Sequence, residues 1–453
     1  MTSSAAAWAR GLPARHGGAV GLAVLAAVLA LALGLRLEAA LDPVANPRSD
    51  SVNYQRIASA LYHDQRFGDE AMTGASDYSP GAPLLFAAVY YATGAPYAER
   101  ALIAVALLGT AMVLLVYLLG RRLAGPGRRG LLAGLGASMT AAVYPSFIEY
   151  SGKLMSEPVA AFFVAGALLA FLWALDRGRA RAWILPGLLL GAAVLTRPEY
   201  MVVAGALVVV AMAVGIRRGG RRAGLTSAAV LAVACVVVVA PWTVRNHLVL
   251  DRFVPVSTGG GKALFVGTYL PGDGSEPEVR RVLLEGSGGR FTDFDQVLDS
   301  TAARHPELDR DQALARVGRE NLRRYASEEP GAYAGMLVDK LGRIWWRGPA
   351  GTADYSTWVW VHRAIVLLAL LGLTVLLRAR RLEALVLALP LTVVTAIGVG
   401  LLASTRRSAP LMPLVLALAA AGTAWAVAAV AVRVGASGRW PRALDGARRS
   451  GAP

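Results

Sequence analysis

The chain is 453 residues long, 55% hydrophobic and only 17% charged, with a formal net charge of +16 and a mean hydropathy of +0.49. Soluble domains average about 45–50% apolar and about 25% charged residues, so a purely aqueous globular fold is excluded and lipid must solvate much of the chain. A single cysteine, Cys235, excludes an internal disulfide and a CxxC metal site.

A bilayer-spanning helix needs about 20 mostly apolar residues. Such runs fall at 19–41, 100–120, 130–148, 157–175, 182–196, 199–216, 225–243, 358–377, 382–403 and 408–432, which predicts about ten spans. The first apolar run is too long for a signal-peptide core and has no small-x-small site behind it, so it is expected to stay as an anchor. The run 83–95 is too short to cross and predicts an interfacial or re-entrant helix.

The short links between spans are basic: Arg121, Arg122, Arg128 and Arg129; Arg177, Arg179 and Arg181; Arg217, Arg218, Arg221 and Arg222; Arg378, Arg380 and Arg381. The termini add Arg10, Arg15, Arg433, Arg439, Arg442, Arg448 and Arg449. These segments hold 21 basic residues against the acids Asp176, Glu383 and Asp445, a net +18 that exceeds the charge of the whole chain. The positive-inside rule puts them, and both termini, in the cytoplasm. The basic excess is then a topology signal, and nucleic-acid binding loses its main support. The chain divides into a tail and first span (1–41), a first outer loop (42–99), six spans (100–243), a large outer loop (244–357), three spans (358–432) and a basic tail (433–453). Within the large loop, helical spacing predicts helices over 306–328 and 332–346, broken at Pro330 and Gly331. Trp345, Trp346, Trp358 and Trp360 fit an aromatic belt at the outer interface.

Charged residues in the outer connections are the functional candidates. Asp50 opens an amphipathic helix carrying Ile57, Ala58 and Leu61, where an N-cap or first-turn acid already explains it locally. Tyr78-Ser79-Pro80-Gly81-Ala82-Pro83 is a rigid entry to the short apolar run. Ser156 is expected to cap the fourth span, with Glu157 and Pro158 in its first turn, after Lys153. Arg197 follows the fifth span, Arg245 and Asn246 end the seventh, and Arg406 and Arg407 open the last. Two acids and five bases thus come from five connections to one predicted face. That set suits a phosphate at the bilayer surface, which arginine binds through paired charge-assisted bonds, with a carboxylate free to act as general base.

Six stretches in chain order carry a family likeness: Ser49-Asp50 with Tyr54 and Ala58; Tyr78 to Leu85; Ser151 to Pro158; Gly191 to Pro198; Pro241 to Asn246; and Val254 to Gly260, all inside about residues 19–430. They resemble the GT-C superfamily of integral membrane glycosyltransferases, in the branch of the dolichyl-phosphate-mannose protein mannosyltransferases and the bacterial aminoarabinose transferase of lipid A. The resemblance implies an all-α polytopic GT-C-like fold with two outer loops carrying short helices. It implies a polyprenyl-phosphate sugar donor, a glycan, lipid or protein acceptor reached from outside, and inversion at the anomeric carbon. It also implies an inner-membrane location. On that basis Asp50 is the expected base and Glu157 an accessory acid. Arg197, Arg245, Lys153, Arg406 and Arg407 are candidates for the donor phosphate, and Tyr54, Tyr78 and Asn246 for the substrate site. Gly81 and Ala82 stand where the aminoarabinose transferases carry a phosphate-contacting lysine, which argues against the same substrate.

Ser257-Thr258-Gly259-Gly260-Gly261-Lys262-Ala263 is not a Walker loop, since Val256 and Ala263 replace the required glycine and hydroxyl residue. Five scattered histidines offer no zinc motif, and no cofactor is expected, with Asp50 and Glu157 the one pair suited to a divalent ion. Two rival functions are a secondary transporter, which would show inverted repeats, and a non-catalytic glycan-binding protein on the same fold.

Overall fold

The computed structural model describes residues 14–42, 50–68, 75–348 and 356–436. Ser49 and the terminal arginines Arg10, Arg439, Arg442, Arg448 and Arg449 lie outside them. The described residues form 17 α-helices and no strand. The helices of the first half are α1 (Ala14–Leu41), α2 (Asp50–Asp64), α3 (Gly81–Thr93), α4 (Ala98–Ala124), α5 (Gly127–Val143), α6 (Pro145–Glu149), α7 (Ser156–Arg177), α8 (Ile184–Thr196) and α9 (Tyr200–Leu250). The large loop supplies α10 (Gly260–Thr268), α11 (Glu276–Gly286), α12 (Phe294–Ala302), α13 (Arg310–Glu328) and α14 (Pro330–Trp345). The chain ends on α15 (Ser356–Arg378), α16 (Leu382–Gly400) and α17 (Met412–Ala436).

Seven helices are individually long and apolar enough to cross a membrane, and the bent pair around α5–α6 passes the same test when taken as one segment. The 51-residue α9 is two arms, because Gly219 and Gly220 (φ 79°) break its helical geometry. A Cβ on Gly215 would lie 2.7 Å from Gly224 Cα, so the arms fold back on one another as a hairpin. With the short apolar stretch Ala180–Thr196, ten apolar segments result, in line with the sequence expectation. The chain is therefore an integral, multi-pass membrane protein.

Three local causes shape the end of the bundle that carries the outer loops. Pro145 forces Tyr144 out of helical geometry (ψ 120°), and the chain turns by 56° there. The short α8 packs its glycines against the second arm of α9: a Cβ on Gly187 would meet Leu231 O at 2.6 Å, and one on Gly191 would meet Cys235 O at 2.8 Å. Small residues allow such backbone approach in lipid. The third is α7, the most buried span, whose N-terminus brings Glu157 to the middle of the bundle.

Tyr54, Ala58, Phe86, Tyr90, Tyr150, Met155 and Ala409 share one core, which docks α2 and α3 onto α4, α7 and the segment before α17. A separate small core of Phe265, Val279, Phe294, Leu298 and Leu314 holds the large loop together. Lys340 fastens that loop to the membrane bundle. Its fully buried ammonium donates to the carbonyls of Gly267, Val399 (3.1 Å) and Leu401 (2.6 Å), capping the end of α16. Trp346 and Trp360 are exposed and flank Arg363, as a belt requires, whereas Trp345 turns inward and donates to Thr395 Oγ1 at 2.9 Å.

Candidate functional site

Asp50 begins α2 and Glu157 lies in the first turn of α7, positions that favour carboxylates because helix N-termini carry partial positive charge. The N-cap of α7 is Met155, one residue before the expected Ser156, whose hydroxyl turns to Glu157 Oε2 at 3.4 Å. Arg406 sits in a single 3-10 turn, Thr405–Arg407, between α16 and α17. Its Nη1 donates to Asp50 Oδ2 at 2.6 Å and its Nε donates to Glu157 Oε1 at 2.7 Å.

The chain of charges continues. Arg197 Nη1 lies 3.5 Å from Glu157 Oε1, and its Nε donates to Glu199 Oε1 at 2.8 Å. Glu199 also receives Arg407 Nη1 at 3.5 Å. Three carboxylates and three guanidiniums therefore alternate, from Asp50 through Arg406, Glu157, Arg197 and Glu199 to Arg407. Four separate connections supply them. Glu157 is 1% exposed, while Asp50 and Arg406 keep 39% each. The exposed end of the network is thus the Asp50 end.

Burial opposes the charge on Glu199, but Arg197 and Arg407 outweigh it and draw its pKa down to about 2. Burial likewise works against Arg197 and Arg406. Glu199 with Glu157 holds the first above its ordinary pKa, and Glu157 with Asp50 the second. Arg407 differs: burial dominates and its pKa falls.

Tyr54 and Tyr78 join the same site. Their rings meet edge to face at 5.3 Å, and Tyr78 Oη lies 3.5 Å from Asp50 Oδ1 while accepting from Asn53 Nδ2 at 2.7 Å. Burial, and then the Asp50 charge, push the Tyr78 phenol up to about 12, so it stays a neutral donor. Gly81 brings the Tyr78 segment onto Arg197, because a Cβ there would fall 2.7 Å from Thr196 N.

Arg245, Asn246 and Lys153 have other partners. Arg245 stacks over Trp242 (4.9 Å) and Phe67 (5.5 Å). Asn246 Nδ2 donates to the carbonyls of Val254 and Val256, which pins the start of the large loop. Lys153 pairs with Glu149 one turn back.

A cavity of about 420 Å³ opens on Asp50 and Tyr78 and extends under the large loop to Asp77, Thr258, Lys262 and Arg310. Thr258 stitches the two outer loops together: its amide donates to Ser76 O at 2.8 Å and its hydroxyl to Asp77. The glycine run before Lys262 is a packing device. Asp311 Oδ1 accepts from Gly259 N (3.0 Å) and Gly261 N (2.7 Å), and a Cβ on Gly261 would sit 1.8 Å from Asp311 O.

Glu199, Asp77, Arg310 and Arg36 are not among the sequence-derived candidates, and Lys262 entered there only through the rejected phosphate-loop pattern. Glu199 had a signal, two residues from Arg197, and Asp77 adjoins Tyr78. Arg36 is hidden in the apolar first span, fully buried, and donates to Ala141 O (2.9 Å) and Ala142 O (3.0 Å) at the end of α5. Among the described residues no three His, Cys, Asp or Glu side chains group to hold a metal ion. A guanidinium, that of Arg406, lies between Asp50 and Glu157.

This is a multi-pass membrane protein of GT-C-like fold. Residues 77–243 match the family model described as dolichyl-phosphate-mannose-protein mannosyltransferase. Among solved structures, the archaeal oligosaccharyltransferase AglB from Archaeoglobus fulgidus, in complex with an inhibitory peptide and a dolichol-phosphate, aligns with 15% identity and a TM-score of 0.54 over 92% of this chain and 51% of that one. The Archaeoglobus fulgidus oligosaccharyltransferase in complex with zinc and sulfate aligns with 17% identity and a TM-score of 0.54 over 92% and 52%. The chain thus spans about half the length of these oligosaccharyltransferases. ArnT from Cupriavidus metallidurans bound to undecaprenyl phosphate gives 16% identity over 94% and 81%, at a TM-score of 0.38 that is too low to weigh. No curated protein matches in sequence.

Proposed function

We propose that the chain is a glycosyltransferase that moves a sugar from a polyprenyl-phosphate donor to an acceptor hydroxyl on the extracytoplasmic side, with inversion. The observation that carries this is the Arg406 bridge, which joins the carboxylates of two outer connections beside a polar cavity. The family match over 77–243 supports the sugar-transfer class.

Asp50, exposed to the cavity, takes the proton of the acceptor hydroxyl as that oxygen attacks the anomeric carbon. The bond from anomeric carbon to phosphate oxygen breaks, and the polyprenyl phosphate leaves with the electron pair. Arg406 holds Asp50 and Glu157, and Arg197 holds Glu157, so an arriving phosphate competes with these carboxylates for the two guanidiniums. Glu157, buried between two arginines, positions them and is not free to attack the sugar. One displacement with one base inverts the carbon. Lys262 and Arg310 line the cavity on the acceptor side.

The test uses the purified full chain in liposomes with a panel of radiolabelled polyprenyl-phosphate sugars. Release of polyprenyl phosphate with transfer of label is expected. Movement of an uncleaved solute that depends on an ion gradient would make the protein a transporter and overturn the reading.

A further inference from the structure

A groove of about 600 Å³ runs between α5, α15 and α17, with its arginine mouth at the opposite end of these helices from the Arg406 network. On α5 it extends from Arg128 to Thr140, about 18 Å at 1.5 Å per residue. That is close to one leaflet of a hydrocarbon core about 30 Å thick. Below its mouth the groove offers no free polar group. Its two hydroxyls, Thr140 and Thr423, are spent on their own helices, donating to Gly136 O and Ala419 O, each at 2.9 Å. The rest of that stretch is aliphatic, which suits an acyl chain and would leave a peptide backbone unsatisfied.

The mouth is cationic. Arg129 lies over the Trp425 ring, 3.8 Å from its centroid, and donates its Nε to Ala124 O at 2.6 Å, so its position is fixed. Arg128 beside it is exposed. Among the described residues neither forms an ion pair. The acids at that end are engaged elsewhere: Asp176 with Arg122, and Glu383 with Arg381 and Arg122. Two arginines without carboxylates over a one-leaflet apolar groove form a site for a phosphate that carries a hydrocarbon tail.

We infer that this groove binds an anionic phospholipid of the cytoplasmic leaflet, with its phosphate at Arg128 and Arg129 and one acyl chain along α5 and α17. The inference depends on the basic links facing the cytoplasm and is independent of the transferase activity. Charge selects the lipid here: a zwitterionic headgroup of equal tail length fills the groove but leaves the arginines less compensated.

The full-length protein, purified and stripped of lipid in mild detergent, is titrated with palmitoyl-oleoyl phosphatidylglycerol or phosphatidylcholine and bound lipid is counted by native mass spectrometry. Phosphatidylglycerol is expected to bind more tightly. Arg128→Gln should cut that preference about fivefold, the factor given by ~1 kcal/mol per basic residue at an anionic surface. Arg179→Gln, an exposed basic change on another cytoplasmic link, should leave it unchanged. Ala420→Phe, which fills the groove floor, should weaken both lipids. Equal binding of the two lipids, or an equal loss in Arg179→Gln and Arg128→Gln, overturns the inference. So does undiminished binding in Ala420→Phe, or a dimer that retains neither lipid, which would put a second copy in the groove.

Discussion

Arg406 holds Asp50 at 2.6 Å although 356 residues separate them in sequence. A carboxylate so paired stays engaged until the guanidinium finds another anion, and a donor phosphate supplies one. Asp50→Asn keeps the hydrogen bond to Arg406 and the size of the side chain but removes the base. Transfer should fall by about 100-fold or more, while the unfolding midpoint in detergent stays near that of the parent. Transfer within a few-fold of the parent in membranes would remove Asp50 from the base role.

The same bridge separates stability from catalysis at Arg406. Glu157 is 1% exposed, and without Arg406 it keeps Arg197 at 3.5 Å as its cation and the Ser156 hydroxyl at 3.4 Å. Arg406→Ala should therefore cost about 1–3 kcal/mol, the order for leaving a buried polar group short of a partner. Arg406→Lys retains the charge without the two-headed reach. It should recover much of the stability but little of the transfer, because one ammonium does not span both carboxylates as the guanidinium does. Equal recovery of both properties in the lysine variant would contradict a bidentate role.

Glu199 predicts an acid limit. Its pKa is held at about 2 by Arg197 and Arg407, against 4.5 for the ordinary carboxyl. Between those values the unfolded chain binds more protons than the folded one, so stability rises with pH there. The contribution is complete above about pH 4.5 and is lost as pH falls toward 2, at up to about 1.4 kcal/mol per unit. Denaturant midpoints measured from pH 6 to 3 should show this decline. Glu199→Gln should be less stable at pH 7 yet have a shallower acid slope, and an unchanged slope would assign the acid sensitivity to other groups.

Gly81 couples backbone packing to the site. A methyl group there would sit 2.5 Å from Thr196 Oγ1 and 2.8 Å from its Cα, so Gly81→Ala must separate the Tyr78 segment from Arg197. Overpacking of this kind costs about 1–3 kcal/mol, and transfer should fall further than stability alone explains because Tyr78 leaves Asp50. Gly94→Ala, at the far end of the same helix with open space around it but a φ of 72°, controls for strain without displacement.

Periodicity and charge made the ten apolar segments and the gathering of Asp50, Glu157, Arg197 and Arg406 at one end of the bundle legible in the sequence, because both follow from lipid as solvent. They did not distinguish Arg197 from Arg245. Both lie near the ends of apolar helices, and what separates them is tertiary: Phe67 and Trp242 provide aromatic faces for Arg245, Glu157 and Glu199 carboxylates for Arg197. The glycines before Lys262 look like a phosphate loop until Asp311, fifty residues on, proves to be their partner. The break at Gly219 and Gly220 falls in the basic link Arg217 to Arg222, between the apolar runs 199–216 and 225–243 that the sequence reads as separate spans.

Arg36 was invisible because a lone arginine in an apolar run reads as a span residue. In the fold its guanidinium donates to the carbonyls of Ala141 and Ala142, which lose their helical partners where Pro145 breaks α5. The neighbouring turn depends on the same span, since a Cβ on Gly152 would strike Ala39 O at 2.6 Å, and that turn leads directly to Glu157. Arg36→Leu makes the first span more apolar and so favours its insertion. It also leaves two buried carbonyls short of donors, at about 1–3 kcal/mol. The expected result is normal membrane insertion, a lower unfolding midpoint and reduced transfer. Arg36→Lys should restore only part of the midpoint, because one ammonium replaces a fork that reaches both carbonyls and Ala32 O. A leucine variant as stable and active as the parent would mean that the broken end of α5 needs no cap, and that Glu157 is positioned by α7 alone.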